Sequence, residues 1–270
     1  MAFDDKNPSL TLRVRWFQTS STRMNIEPLQ IEKYRHIVLL TGAGVSAASG
    51  LPTFRGANGL WNDAEAVWVS DATNLPHSLS RLWKFYGPLR EKMAQVQPNK
   101  AHHAIARLQR EATQRGQTVT LITQNVDELH QRAGSLDTVE LHGSLMKSRC
   151  MKNCSPPFED ANAHREHFER GESPRCECGA ALRPDFILFN EMLPANALNR
   201  SYHAMQNCDL FLAIGTSGTV APASLFVQGA HMMGAETVSV NLEANQPRNS
   251  YFKREVLGRA EETLPILFGF

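Results

Sequence analysis

The chain has 270 residues, 42% hydrophobic and 20% charged, with a formal charge of +1, which predicts an ordinary packed core in one large α/β domain with or without a smaller insert. No long basic run is present, so nucleic acid and anionic membrane surfaces are poor main partners. No stretch approaches the ~20 apolar residues needed to span a bilayer.

Residues 1–28 read as a flexible leader. Asp4-Asp5 interrupts any signal-peptide pattern, so the expected compartment is the cytoplasm. Residues 10–23 are basic and Ser/Thr-rich, faintly like an organelle transit peptide, and this leaves the mitochondrion as the alternative. Beyond the leader, β-rich runs are expected at residues 37–40, 119–122, 139–141, 210–214 and 238–240. Helix-like segments separate several of them; Asn99 can cap one running through residues 104–108, and Gly116 can end it. This alternation predicts a Rossmann-like, doubly wound parallel sheet. Two stretches depart from it and read as inserts: residues 57–100, helical with an interruption at Gly87-Pro88, and residues 143–187, which hold most of the cysteines.

The loops after the strands are more informative than the strands themselves. The five runs lead into Thr41-Gly-Ala-Gly44, Thr123-Gln-Asn-Val-Asp127, His142-Gly143, Gly215-Thr-Ser217 and Asn241-Leu-Glu243. Ligands of open parallel sheets bind at the carboxyl ends of the strands, so five such loops predict a single site. Gly42-Ala-Gly44-Val-Ser-Ala47 fits a G-x-G-x-x-A phosphate turn. Asp63 and Glu65 lie at about the offset of a dehydrogenase's ribose-binding acid, but Gly59-Leu-Trp-Asn62 before them does not read as a strand, which disfavours hydride transfer. Instead, Pro52 stiffens a loop carrying Phe54 and Arg55, able to fold over a bound dinucleotide.

Cys150, Cys154, Cys176 and Cys178 fall within one 29-residue stretch, while Cys208 stands alone. Without a secretion signal, the four read as a closed, structural Zn²⁺ site rather than disulfides. The pairs are C-x3-C and C-x-C, so Cys176 and Cys178 must lie in a turn, for which Gly179 is suited; weakened metal binding is the competing reading.

The ordered series GAGVSAASGLPTFRG, TQNVDELHQRAG, ELHGSL, LRPDFILFNE, GTSGTVAPA and VNLE resembles the Sir2 (sirtuin) family of NAD-dependent protein-lysine deacylases, over roughly residues 34–268. The PTFRG and GTSG versions look most like the bacterial and mitochondrial branch linked with removal of acidic acyl groups. The resemblance implies a catalytic domain over residues 29–270, acyl-lysine proteins or peptides as substrates, NAD as co-substrate and zinc as a structural ion. It implies that Gly42, Ala43, Gly44 and Ser46 line the NAD phosphates and ribose, with Phe54 and Arg55 on the cofactor loop. Gln124 and Asn125 would orient the nicotinamide-side ribose, with Val126 beside them, and Asp127 would hold the carboxamide. Gly215, Thr216, Ser217, Asn241, Leu242, Glu243 and Ala260 would surround the adenosine half. His142 would be the general base on a ribose hydroxyl, a role suited to an imidazole with pKa ~6.5. The implied products are free lysine, nicotinamide and O-acyl-ADP-ribose.

The acid-acyl branch carries a Tyr-x-x-Arg pair that grips a carboxylate. Here Tyr86 aligns as a substrate-binding residue, but its +3 partner is Leu89 and the arginine is Arg90. On a regular helix Arg90 points about 100° away, to the surface, unless Pro88 bends the helix and lets it swing in. Neutral acyl groups are therefore expected to be preferred. Asn190 stands where family members usually have Gly, and its side chain is expected to narrow the peptide groove. Protein ADP-ribosyltransferase or NAD glycohydrolase activity at the same site, and a silent NAD sensor, are the alternatives. The expected oligomeric state is monomer.

Overall fold

The structure is a computed structural model that describes residues 26–54, 59–160, 165–170, 172–216, 218, 221 and 223–270. Nine strands lie among them: β1 His36–Thr41, β2 Thr118–Thr123, β3 Val139–Glu140, β4 Gly143–Cys150, β5 Phe158–Glu159, β6 Leu182–Phe186, β7 Leu210–Ile214, β8 Glu236–Asn241 and β9 Arg254–Leu257. The α-helices are α1 Ala64–Val69, α2 Leu75–Gln95, α3 Lys100–Gln114, α4 Leu129–Arg132, α5 Arg165–Glu169, α6 Ala195–Gln206, α7 Ala223–Met232 and α8 Ala260–Leu267.

The larger sheet has the order β3-β2-β1-β7-β8-β9 and is parallel throughout. The five expected strands all belong to it, and β9 is an added edge strand. The central strands are apolar at almost every position because both faces are covered. Ile37, Leu39, Leu121, Leu212 and Val240 pack under α3 and α8, while Val38, Leu40, Ile122 and Phe211 pack under α6 and α7. Strand order reverses between β1 and β7, which places the topological switch point there. Helix α3 starts where expected: the Asn99 side chain accepts from the Ala101 N–H, and His102 reaches back to the Asn99 N–H. Gly116, with φ +74°, follows its end.

The second sheet is antiparallel, in the order β5-β4-β6, and its central strand begins one residue after His142. Helix α2 packs on it: Leu82, Tyr86 and Met93 share one apolar cluster with Leu145, Met146 and Phe186. The expected interruption at Gly87-Pro88 does not occur, since α2 runs unbroken through both residues. Buried side chains on either side of the proline, Trp83 and Tyr86 before it and Arg90 and Met93 after it, hold the two halves in line despite the hydrogen bond Pro88 cannot make.

Arg90 corrects both readings of its position. It is neither surface-exposed nor turned toward Tyr86's neighbours in the cleft, but fully buried. Its guanidinium donates to Ser148 Oγ and to the Met146 carbonyl, each at 3.1 Å, and forms an ion pair with Asp160. One residue's rotation on an intact helix aims it at β4 and β5, where a buried carboxylate compensates its charge. Among the described residues no helix is long and apolar enough to cross a membrane.

Candidate active site

The Gly-rich turn after β1 does not open a long helix. It makes two short 3₁₀ turns, Ala43–Val45 and Ala47–Ser49, and reverses at Gly50, φ +88°. Its glycines are required by a neighbouring chain segment. A Cβ on Gly42 would lie 2.8 Å from the Gly215 carbonyl oxygen, and one on Gly44 2.7 Å from Gly215 Cα. The Gly42 N–H donates to the Ile214 carbonyl and the Gly44 N–H to that of Gly215, so the loops after β1 and β7 are sewn together. Asp63 and Glu65 are not ribose acids: Asp63 caps α1, and Glu65 pairs with Arg81.

The other strand ends tie into the same point. Asn125 Nδ2 donates to the Gly42 carbonyl at 3.1 Å and to Ser46 Oγ at 3.2 Å. Gln124 Nε2 donates to Thr216 Oγ1 at 2.9 Å, and Asn241 Nδ2 to the Thr216 carbonyl at 3.1 Å. Loops following β1, β2, β7 and β8 are thus cross-braced before any ligand binds, which is the preorganisation a catalytic cleft needs.

Between the sheet domain and the α2–β6 layer lies a cleft of about 730 Å³, within the range usual for small-molecule sites. Gly42, Ala43, Gly44, Phe54, Gln124, Asn125, Val126 and His142 line it. So do Gly215, Thr216, Asn241, Leu242, Glu243, Ala260 and Tyr86. Ser46 and Asp127 sit just off it, in a small recess that shares Ala43, Phe54, Asn125 and Val126 with the main cleft. Arg55 and Ser217 lie outside the described residues. Sequence reasoning missed several lining side chains. Trp61 stacks on Phe54 with ring centroids 5.0 Å apart and touches Phe189 at 4.9 Å, walling the cleft beside the cofactor loop. A lone tryptophan in the polar stretch Gly59-Leu-Trp-Asn62 was the available signal for Trp61; for Ser70 and Leu145, which also line the cleft, there was none.

His142 is half-buried, and its Nδ1 lies 3.1 Å from the Gln124 carbonyl oxygen. That oxygen can only accept, so Nδ1 carries the proton and Nε2 presents a lone pair. Burial lowers its pKa from the usual 6.5, against the opposing pull of the Gln124 carbonyl, and so favours the neutral base. Asp127 accepts from Ser46 Oγ at 2.6 Å and from the Leu129 N–H at 2.9 Å. Burial raises its pKa, opposed chiefly by those two hydrogen bonds. Behind Ser46 stand His102, 3.3 Å away and pushed down to about 4, chiefly by burial, and His130, whose ring lies 4.8 Å from that of His102. Burial also holds the His130 pKa well below the usual value, so both rings are neutral and serve as uncharged hydrogen-bonding supports.

Phe189 precedes Asn190, the residue expected to narrow the peptide groove. Phe189 already pairs with residues 70–72: its N–H donates to the Ser70 carbonyl, and its carbonyl accepts from the Ala72 N–H. Asn190 is at φ +66°, the left-handed backbone that explains why glycine also suits this position. Its side chain lines the cleft and is tied to Asp71 Oδ1 at 3.1 Å.

The four clustered cysteines meet. Their sulfurs lie within 4.8 Å of one another, with Cys154–Cys176 at 3.4 Å and Cys150–Cys178 at 3.6 Å, and all are free thiols. Zn–S bonds of ~2.3 Å place tetrahedral ligands roughly 3.8 Å apart, so the set fits one zinc ion. Cys176 and Cys178 flank a turn completed by Gly179, φ +83°. None of the four lines the cleft.

A doubly wound sheet whose strand ends are laced around a cleft, with a neutral histidine at its wall, defines a nucleotide-using enzyme. The chain belongs to the Sir2 family, whose profile matches residues 42–222. It is 39% identical over 253 residues to an NAD-dependent protein deacylase of Daphnia pulex, covering 87% of this chain and 92% of that one. It is 36% identical over 276 residues to the NAD-dependent protein deacylase sirtuin-5, mitochondrial, of Danio rerio, covering 94% and 90% respectively. A solved Sir2 homolog–NAD complex superposes with a TM-score of 0.79 at 37% identity, covering 88% of this chain and 90% of the other.

Proposed function

We propose that this chain is an NAD-dependent protein-lysine deacylase in which His142 is the general base. The observation that carries the reading is the His142 tautomer: Nδ1 is held by the Gln124 carbonyl, and Nε2 is free to take a proton in a cleft walled by Asn125 and the glycine turn. NAD, when bound, supplies the ribose carbon from which nicotinamide leaves and the hydroxyls that carry the acyl group away. Asn125 and Gln124 orient the ribose next to that carbon. Asp127, fixed by Ser46 and Leu129, accepts from the nicotinamide carboxamide in the recess. Gly42, Ala43, Gly44 and Ser46 flank the phosphates and ribose, Phe54 and Arg55 close over them, and Gly215, Thr216, Ser217, Asn241, Leu242, Glu243 and Ala260 hold the adenosine half. Tyr86 lines the acyl end. The acyl-lysine amide oxygen would bond to the ribose carbon as nicotinamide leaves, and His142 Nε2 would then take a ribose hydroxyl proton so that this oxygen could attack the acyl carbon, with one water consumed as the lysine amine is released.

Zinc held by Cys150, Cys154, Cys176 and Cys178 has a structural part in this reading. Residues 29–270 form the catalytic domain, with the helical insert at 57–100 and the zinc-bearing insert at 143–187. The compartment is read as cytoplasmic; the mitochondrial alternative rests on residues 10–23, which lie outside the described residues, and on relatives named mitochondrial. ADP-ribosyl transfer to protein gains no support from these relatives.

The test is incubation with NAD and an acyl-lysine peptide, monitoring O-acyl-ADP-ribose, nicotinamide and free lysine. Equimolar formation of the three is expected. His142→Ala should cut turnover by about 10²–10⁴ while leaving NAD binding within a few-fold by calorimetry. Near wild-type turnover in that variant would remove His142 from the chemistry.

A further inference from the structure

Arg183 on β6 is 1% exposed, and a charge so deeply buried needs compensation. Its guanidinium donates to both carboxylate oxygens of Glu191, at 2.5 and 3.2 Å, and to the Phe186 carbonyl at 2.6 Å. Glu191 also accepts from the Leu188 N–H at 2.8 Å and from Arg149 at 3.2 Å. Burial by itself would raise the Glu191 pKa. The Arg183 hydrogen bonds, the Leu188 N–H and the two positive charges outweigh it and hold the carboxyl below its usual range. The pair therefore grips the backbone at residues 186 and 188, on either side of Ile187. The Ile187 N–H donates to the main-chain carbonyl of His142 at 2.9 Å, and residues 186–191 all line the cleft.

We infer that, given the deacylase reading above, Arg183 and Glu191 are positioning residues for the reaction: they hold Ile187 where its N–H anchors the backbone of the general base. The imidazole is then fixed from two sides, at its ring by the Gln124 carbonyl and at its main chain by Ile187. A buried ion pair contributes little to stability beyond what apolar residues of the same volume would give. What it adds here is direction, because a forked guanidinium fixes the angle of its partners as well as their distance. Lysine at 183 would keep the charge but has no planar fork to span both Glu191 oxygens and the Phe186 carbonyl. A base displaced by about 1 Å loses up to about 10²-fold in rate. Neither residue is among those assigned to NAD, so cofactor affinity is a separate quantity.

The experiment compares the intact protein with Arg183→Lys, with the double variant Arg183→Met/Glu191→Leu and with Ile187→Pro, using NAD and one acyl-lysine peptide that the unmodified protein turns over. The double variant leaves no orphan charge, since Arg149 keeps Asp185, 3.7 Å away. Ile187→Pro removes the N–H to His142 and touches neither charge. Each is assayed at a temperature where circular dichroism shows it fully folded, so that kcat refers to folded molecules. All three should lose kcat by about 10–10²-fold and raise the peptide KM, with the NAD Kd by calorimetry within about twofold. A folded Arg183→Lys or double variant with kcat and peptide KM within about twofold of the unmodified protein would overturn the inference and leave the pair purely stabilising. Unchanged kcat in Ile187→Pro would overturn it too, by cutting the link to His142. NAD binding weakened in step with kcat would do the same, because the whole cleft would then have been lost. No acyl-dependent nicotinamide release by the unmodified protein from any peptide would instead overturn the deacylase reading, and this inference with it.

Discussion

The bonding of His142 is decided by one neighbour. The Gln124 carbonyl holds the imidazole in the tautomer that leaves Nε2 basic, and burial keeps it neutral. A histidine with a lowered pKa is in its basic form above that pKa and loses it only as pH falls through the lowered value. The kcat/KM for NAD should therefore stay level through pH 6.5 and fall on an acid limb centred below it. A pH profile with its limb at or above 6.5 would contradict this assignment. Gly44 makes a second residue-scale case. The Cβ of an alanine there would meet Gly215 backbone at 2.7 and 2.9 Å, and backbone cannot swing aside. Gly44→Ala should cost about 1–3 kcal/mol by urea denaturation and disturb NAD binding as the two loops separate. An unchanged midpoint would show that the loops can part freely.

Helix α2 shows how an element serves two purposes at once. One side carries Tyr86 and Leu89 into the cleft, and the next carries Arg90 into the β4–β5 layer. The arginine fastens the helix to the antiparallel sheet, and so fixes where Tyr86 and Leu89 line the cleft. Truncating one partner of a buried ion pair removes its attraction and its hydrogen bonds together. Arg90→Ala should therefore lower stability by about 3 kcal/mol in urea melts. Arg90→Met, which keeps volume, should recover only part of that, because it cannot donate to Ser148 Oγ and the Met146 carbonyl. A loss below about 0.5 kcal/mol for Arg90→Ala would mean the pair is solvated in solution.

Across the whole molecule, the cleft exists because two sheets of different kinds meet along α2 and the loop that carries His142. The cysteine cluster lies at the far side of the antiparallel sheet, where Trp83, Cys150 and Leu182 form their own apolar cluster under it. Metal analysis should find one zinc per chain. Stripping it with a strong chelator should lower Tm by several degrees, as expected when a folding constraint of this kind is removed. Readdition of zinc should restore both Tm and turnover. No bound zinc, or an unchanged Tm after removal, would disprove the structural role.

Residues that act through their own backbone needs or their own chemistry were legible in the chain itself. The five β-rich runs, the Asn99 cap, the glycine turn after β1 and the four cysteines each announce themselves by local composition and spacing, and all five runs became strands of one parallel sheet. The edge strand β9 was not legible, because Arg254-Glu-Val-Leu257 is short and half polar and pairs only because β8 offers it an edge. Tertiary structure alone decided the fate of Arg90. Helical geometry turns it 100° from Leu89, but whether that direction is solvent, cleft or core depends on Ser148 and Asp160, both more than fifty residues away. The same holds for Ser70 and Tyr86. Each is an ordinary hydroxyl in the sequence, and only the distance between them, with the Ala66 carbonyl behind, settles which way their protons point. Local chemistry is written residue by residue, but the direction of a hydrogen bond and the burial of a charge belong to the partners that folding brings together.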